Sequence, residues 1–262
     1  VEQFFITLAK NDALASALLA ARCIAEQKLA QALPYADFAA TAQHPIGFYV
    51  RALLEFERPD GDIEQGHQWM LQAAQRGHIE AAYRVGLTLL TQAEQQTNQS
   101  EKETLLQQAL QFVAQAAHAG FAPAQFTLGQ CWLQGVGVEK NQQEALGWLE
   151  RAAQQRHVDA MFVLGINLPI EHAQHLPLLQ AAAHAGHPKA MLCVGIYLQN
   201  HAQASEAIEW FELAKAHGDM RANYMLGLAY LQGNGVAAES KKAVELLNLA
   251  GEAGDAEAYF TL

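Results

Sequence analysis

The stretch "AQFTLGQCWLQGVGVEKNQQEALGWLERAAQQR", residues 124–156, contains two blocks that recur along the chain. The first block has the pattern Ala-x-x-x-(Leu/Val)-Gly and begins here at Ala124. Further copies with the same internal spacing begin at Ala81, Ala160, Ala190 and Ala222. Copies that share one register predict a repeat protein, in which each unit packs mainly on its neighbours.

The second block has the pattern Ala-x-x-aromatic-x-x-x-Ala-x-x-x-Gly and follows the first. It is clearest from Ala145 to Arg156 and from Ala207 to Gly218. Its aromatic position holds Trp69, Phe112, Trp148 and Trp210, with Leu178 and Leu246 as aliphatic substitutes. Apolar residues recur in both blocks at three- and four-residue intervals, so each unit is predicted to be a pair of amphipathic helices.

The same register extends toward the N terminus, where Gln43 occupies the terminal Gly position and Gly47 the leading Ala position. The predicted domains begin with a capping helix over residues 1–12 and two degenerate helix pairs over 13–80. Well-formed repeats follow over 81–257, and residues 258–262 are the truncated start of a further repeat. Four of the well-formed repeats start at 81, 124, 160 and 190, with a fifth at 222. The predicted fold class is all-α.

Composition excludes several function classes. The hydrophobic content is 51% with only 8% aromatics, which favours closely packed helices rich in Ala and Leu. No apolar run is long enough for membrane insertion. The net charge of -11 argues against nucleic acid as a ligand, because phosphate backbones require a basic surface. Cys23, Cys131 and Cys193 form no CxxC motif and are expected to be reduced.

Two glycine-rich stretches, "LQGVGVEK" (133–140) and "LQGNGVAA" (231–238), resemble phosphate-binding loops. A P-loop would need a preceding strand and a Gly-Lys-Ser/Thr ending, and neither occurs here. Both stretches are therefore predicted to be turns between the two helices of a unit. The polar insertion from Thr91 to Thr104 is expected to be a helical extension or a mobile loop, and Pro169 should end its helix early.

The combined pattern, A-x-x-x-L-G-x-x-Y/W-x-x-G-x-G-V followed by A-x-x-W-x-x-x-A-A-x-x-G, resembles the Sel-one-like repeat family, relatives of tetratricopeptide repeats. Residues 81–262 match well and 13–80 loosely. The resemblance implies a right-handed superhelix, or solenoid, of antiparallel helix pairs, whose first helices line a concave surface. Such proteins generally act as adaptors or scaffolds that bind proteins.

No pattern in the sequence predicts a catalytic site, a metal site or a cofactor. His44, His78, His157 and His187 share one repeat position, where a polar residue would cap the next helix. Their expected separation of about 8–10 Å is too large for neighbours to share a zinc ion. The pair His172 and His175 has no further ligand at suitable spacing. We expect a protein that is not an enzyme.

The concave groove is the predicted binding surface. If the family geometry applies, one face of the first helices carries Tyr83, Leu87, Leu90, Phe126, Gln130, Leu133, Phe162, Ile166, Leu192, Ile196, Tyr224, Leu228 and Leu231. These residues form either an exposed apolar stripe or part of the packing between repeats. A weaker candidate is an acidic loop that contains Glu55, Glu57, Asp60, Asp62 and Glu64, and this loop would attract a basic partner.

The predicted function is therefore a protein-interaction module that binds an extended segment, an amphipathic helix or an effector domain. One alternative is an immunity-type inhibitor of a toxic effector. Another is a structural homo-oligomer that self-associates through its uncapped C-terminal repeat. The unpaired cysteines favour the cytoplasm, and the periplasm is kept as an alternative in which an upstream signal peptide has been removed.

Overall fold

The computed structural model describes residues 8–261, and all regular secondary structure in that range is helical. The first helices of the units are α1 (Ala13–Ala25), α3 (Pro45–Glu57), α5 (Ile79–Gln95), α7 (Ala122–Gln134), α9 (Val158–Asn167), α11 (Pro188–Asn200), α13 (Arg221–Gln232) and α15 (Ala256–Thr261). The second helices are α2 (Leu29–Thr41), α4 (Ile63–Gln75), α6 (Gln99–His118), α8 (Gln142–Gln154), α10 (His175–His184), α12 (Ala204–Ala216) and α14 (Ser240–Glu252). The predicted all-α fold of stacked helix pairs is confirmed.

The chain divides into two compact units, Val1–Ala145 and Leu146–Leu262. The boundary falls inside α8. In the first unit each helix from α1 to α6 packs on the next helix along the chain, and in the second unit the same holds from α9 to α14. The buried residues are mostly the Ala, Leu and Gly of the two blocks, so the register that defines the repeat also defines the core.

The histidines at the shared repeat position cap the N-termini of first helices. His44, His78, His157 and His187 are the N-cap residues of α3, α5, α9 and α11. In each case the ring Nδ1 accepts a hydrogen bond from a backbone N–H in the first turn, at 3.1 to 3.3 Å. The predicted capping role of these four side chains is confirmed, and it requires each ring to be neutral at Nδ1.

The glycine of the first block lies where the two helices of a pair approach each other. A Cβ placed on Gly195 in α11 would collide with the ring of Phe211 in α12, which is fully buried. At Gly86 in α5, a Cβ would lie 2.6 Å from Cγ2 of Val113 in α6. A helix-interior glycine costs about 1 kcal/mol relative to alanine, and here it permits a contact that any larger residue would prevent.

The glycine-rich stretches are turns, as predicted. Gly135 follows α7 as its C-cap residue in the left-handed conformation, with φ of 76°, and its N–H donates to the carbonyl of Cys131. The same backbone conformation closes each second helix, even where the sequence departs from glycine. Gln43 and Arg156 occupy that position with φ of 58° and 63°, so the repeat geometry overrides the side-chain preference.

Departures from the repeat pattern change helix lengths. The insertion from Thr91 to Thr104 extends α5 to 17 residues and α6 to 20, with only Gln96 to Asn98 between them, so it is a helical extension. α9 ends at Asn167, two residues before Pro169, as predicted. Of the capping helix predicted over residues 1–12, residues 1–7 lie outside the described residues, and Asp12 is the N-cap of α1.

Replacement of Gly195 by alanine should lower the free energy of unfolding by roughly 1–3 kcal/mol, because the added methyl group overpacks the contact with Phe211. Gly147 in α8 is the matched control, since no atom lies within 4 Å of a Cβ built there. Gly147→Ala should raise stability by about 0.5–1 kcal/mol through helix propensity. Urea denaturation measures both changes, and equal effects of the two substitutions would contradict the close-approach role.

Stability should fall as the pH is lowered from 7 to 5. Burial lowers the pKa of His78, His157 and His187 below the ordinary value of 6.5, so the unfolded chain binds protons more readily than the folded chain. The stability that these neutral caps provide is complete above pH 6.5 and is lost as the pH falls through the lowered folded-state pKa values. Ordinary carboxylates titrate only below this window.

The measurement is urea denaturation between pH 5 and 8 for the wild-type chain and for His78→Asn and His187→Asn. An asparagine side chain caps a helix without titrating, so each substitution should reduce the dependence of unfolding free energy on pH. An unchanged slope in both variants would show that the caps do not cause it.

Candidate protein-binding surface

The predicted groove residues differ widely in exposure. The exposed members are Leu87, Ile166 and Leu231, and Leu192 is buried with only 4% of its surface exposed. The partly exposed members are Tyr83, Leu90, Phe126, Gln130, Leu133, Phe162, Ile196, Tyr224 and Leu228. Leu192 therefore belongs to the core of its unit, although the expectation placed it on the groove face.

The residue two places after the leading Ala packs against the following repeat. The Phe162 ring stacks on the His187 ring with centroids 4.3 Å apart, and the Tyr49 ring stacks on His78 at 4.2 Å. Tyr83 meets Phe121, the N-cap residue of α7, edge to face at 5.3 Å. Capping residues of one repeat thus lie against aromatic residues of the previous one. This packing also explains why Leu192, at the same repeat position, is buried.

Tyr224 follows the same pattern near the end of the second unit. It packs against a buried cluster formed by Leu247, Ala250 and Ala258. The rings at this repeat position therefore contribute to contact between successive repeats and remain only partly exposed. A partner could touch these rings, but it could not remove them from their packing without destabilising the stack.

The residue six places after the leading Ala remains accessible in the second unit. Ile166 in α9 is 47% exposed, while Ile196 in α11 and Leu228 in α13 are partly exposed. One helical turn earlier, Val163, Cys193 and Met225 are also apolar and partly exposed. We call these six residues the apolar stripe. Residues three and six places after the leading Ala share one helix face.

Neighbouring contacts connect the helices that carry the apolar stripe. Asp159 at the start of α9 lies 3.5 Å from the His187 ring, measured from Oδ1 to Nε2. Asp219, just before α13, lies near enough to Cys193 in α11 to affect the pKa of its thiol. The stripe residues therefore lie on successive neighbouring first helices of the second unit.

The first unit presents a more polar surface at the equivalent positions. Arg84 in α5 forms an ion pair with Glu80 at 2.7 Å and lies over the Tyr49 ring at 5.5 Å. Burial raises the pKa of Tyr49 well above its ordinary value, and a hydrogen bond with Glu80 adds to that effect. Leu87 is exposed beside this polar cluster, whereas Gln130 takes the corresponding place in α7.

One acidic side chain close to the apolar stripe is held in an ion pair. The guanidinium of Arg221 binds Asp219, with Nη2 and Oδ2 2.8 Å apart. Burial raises the pKa of Asp219, but the hydrogen bonds from Arg221 outweigh that effect, so the pKa stays below the ordinary value. A paired acid therefore lies near Cys193 of the stripe, and the six stripe residues themselves carry no charge.

The acidic segment does not form a single loop. Glu55 lies inside α3, is 7% exposed, binds Arg51 at 3.0 Å and accepts the N–H of Asp62 at 3.1 Å. Asp60 pairs with Arg58, and the side chain of Asp62 caps α4. Glu57 and Glu64 are exposed. The prediction of one solvated acidic loop is wrong for Glu55. Its buried carboxylate binds Arg51 within α3 and the backbone N–H of Asp62 at the start of α4, and so it stabilises the turn between these two helices.

The cysteine and histidine side chains considered for catalysis or metal binding are at least partly buried or form local hydrogen bonds. Burial raises the pKa of Cys131 to about 11 and also raises the pKa of Cys193, so both remain thiols at neutral pH. His172 Nδ1 accepts the N–H of Gln174. Across residues 8–261, no three His, Cys, Asp or Glu side chains are grouped as metal ligands, and no helix is long and apolar enough to span a bilayer.

The Sel1 repeat family matches residues 57–78, 122–157, 190–219 and 221–255. The chain superposes on the Sel1 repeat protein from Oxalobacter formigenes with a TM-score of 0.71 at 21% identity, and the match covers 90% of this chain and 96% of that one. The protective antigen c5321 from uropathogenic Escherichia coli, which has an SLR fold, gives 0.61 at 22% identity and covers 95% of this chain and 63% of that one.

A third structure, the immunity protein Pa5087 from Pseudomonas aeruginosa, has a TM-score of 0.46 at 20% identity, with 69% of this chain and 67% of that chain covered. This weak superposition carries no functional argument. No curated protein is similar enough in sequence to count as a match. Sel1 repeats generally serve as protein-interaction modules rather than catalysts. The repeat matches and the fold together show that this chain belongs to the Sel1-like repeat family of helical repeat proteins.

Proposed function

We propose that the chain binds a protein partner through the apolar stripe of its second unit. The supporting observation is that Ile166, Ile196 and Leu228 occupy one repeat position in three successive first helices and remain accessible to solvent. Single exposed apolar residues are common on protein surfaces. Residues repeated at one position form a row, because successive repeats place equivalent positions side by side.

The difference in burial between repeat positions supports this proposal. Residues at the leading Ala and the following Gly are buried in the well-formed repeats, and Trp148 at the aromatic position is buried as well. In the second unit the side chains three and six places after the leading Ala remain at least partly exposed, whereas in the first unit Val50 and Thr127 at the first of these positions are buried. In the second unit all six are apolar, which costs solubility unless another surface covers them.

The chemistry of the stripe indicates the kind of partner. Its Ile, Val, Leu and Met side chains offer only dispersion contacts and removal of water, at about 25 cal/mol for each Å² of apolar surface buried. A directional polar group lies beside the stripe, where Asp219 is held by Arg221. An amphipathic helix or an extended segment with alternating apolar residues would match such a row. Adaptor activity in a bacterial pathway is part of this proposal.

Loss of the stripe should abolish partner binding without unfolding the chain. We expect Ile166→Glu/Ile196→Glu/Leu228→Glu to weaken binding by at least about 100-fold, since each buried carboxylate would remain unpaired and a factor of ten corresponds to 1.4 kcal/mol. The partner is first isolated from native lysate on the immobilised wild-type chain and identified by mass spectrometry. The affinity of the purified partner is then measured by calorimetry for each variant.

The matched control is Leu213→Glu/Val244→Glu/Leu249→Glu. These three residues lie on second helices of the same unit, and each is 45% exposed, so the control makes the same charge change at apolar positions as exposed as Ile166 and more exposed than Ile196 and Leu228. Circular dichroism establishes that both variants are folded. Equal affinities for the stripe variant and the wild-type chain, or an equal loss in the control, would contradict the proposal.

A further inference from the structure

A pocket of about 290 Å³ opens in the first unit between α4, α5 and α6. Its floor is apolar and includes Met70, Leu71, Val85, Leu89 and Phe112, while Glu64, His67 and glutamines form its edge. It lies outside the apolar stripe and uses none of the same helices.

The pocket borders the place where other repeats have a Gly-x-Gly turn. In the turn after α7, a Cβ on Gly137 would lie 3.1 Å from Cβ of Leu106 and 2.7 Å from Cδ1 of Leu110, both in the preceding second helix α6. In the second unit, Gly235 meets the backbone of Ala204 in α12 in the same manner. Leu106 and Ala204 each lie six residues before the aromatic position of their helix, at Phe112 and Trp210.

The equivalent residue in α4 is Ile63, six residues before Trp69. The next repeat has no Gly-x-Gly turn, because the insertion prolongs α5 and α6 instead. Ile63 is consequently 64% exposed. His67, the counterpart of Leu110, is exposed as well and lines the pocket.

The exposure of Ile63 distinguishes this place from other second helices that no such turn follows. The repeats that follow α8 and α10 also lack the turn, and the equivalent residues are Gln142 in α8 and His172 just before α10, which are polar and exposed. Polar residues suit an uncovered position. An isoleucine beside an apolar pocket does not, unless a segment from elsewhere takes the place of the missing turn.

The charge around the pocket indicates the chemistry of that segment. Glu64 lines the pocket, is exposed and forms no ion pair with any residue in the described part of the chain. Asp62, two residues earlier, accepts a hydrogen bond from the N–H of Gln65 and is also exposed. The lining contains no lysine or arginine. A basic group next to the pocket would therefore complement these carboxylates.

We infer that this pocket, whose lining residue His67 lies one helical turn after the exposed Ile63, is a second protein-binding site that takes one apolar side chain from a partner segment, flanked by lysine or arginine. The volume is at the small end for ligand pockets, which suits a side chain better than a cofactor. The segment takes the place that the Gly-x-Gly turn occupies on α6 and α12. This site is independent of the apolar stripe, so either one can fail alone.

The test is a titration of the ¹⁵N-labelled full chain with acetyl-Lys-Leu-Lys-amide, monitored by the amide resonances of assigned residues. We expect shifts at Thr88, Gln92 and Gln108, with a dissociation constant in the millimolar range because one side chain supplies most of the contact. Acetyl-Glu-Leu-Glu-amide and acetyl-Lys-Ser-Lys-amide should each bind at least about fivefold more weakly, since one lacks the basic charge and the other the apolar group.

Two variants localise the effect. Glu64→Lys should weaken binding of the basic peptide by about fivefold or more, whereas Glu144→Lys, at an exposed acid in the first turn of α8, should leave it unchanged. Thr88→Phe should fill the pocket and prevent binding; the Thr88 hydroxyl bonds only to the carbonyl of Arg84 in its own helix. Equal binding of all three peptides, shifts confined to other surfaces, or equal effects of Glu64→Lys and Glu144→Lys would overturn the inference.

Discussion

The structure depends on the close approach of the two helices in each pair. At Gly195 the ring of Phe211 lies where a Cβ would be, and at Gly227 the side chain of Leu247 takes the same place. With the helices this close, the alanines of the second block become fully buried and the pairs can stack. The five repeats that start at positions 81, 124, 160, 190 and 222 retain glycine at this point despite the cost to helix propensity, whereas the degenerate repeat that starts at Gly47 has Ala52 there.

Once this contact is fixed, most repeat positions are assigned to packing. Capping histidines such as His187 link one repeat to the next by stacking on an aromatic residue of the preceding repeat. Two kinds of surface remain exposed. One is the face of the first helices that carries the apolar stripe in the second unit, and the other is any second helix that the turn of the next repeat does not cover. Ile166 represents the first kind of surface and Ile63 the second, and both are exposed apolar residues at positions where packing imposes no such choice.

The sequence predicted the fold and the helix pairs because its register is carried by residues that local packing requires. Caps such as His78 and the early end of α9 before Pro169 also follow from local rules. Side-chain exposure was harder to predict. Leu192 is buried because its repeat position faces the next repeat, and Glu55 is buried because it pairs with Arg51 one turn away. Val163, Cys193 and Met225 could have been found from their three-residue spacing to the predicted stripe. To predict the pocket near Ile63 from the sequence, one would need to know where the turn of another repeat packs.

The most direct measurement of the proposed binding surface is site-specific photo-crosslinking in the native cell. A benzophenone side chain at Ile196 would lie in the apolar stripe, and the same group at Leu213 would lie on a second helix of the same unit. We expect one discrete protein to be crosslinked through position 196 and none through position 213. A crosslink only at position 213, or equal crosslinking at both positions, would contradict the assignment of the first-helix face as the partner surface.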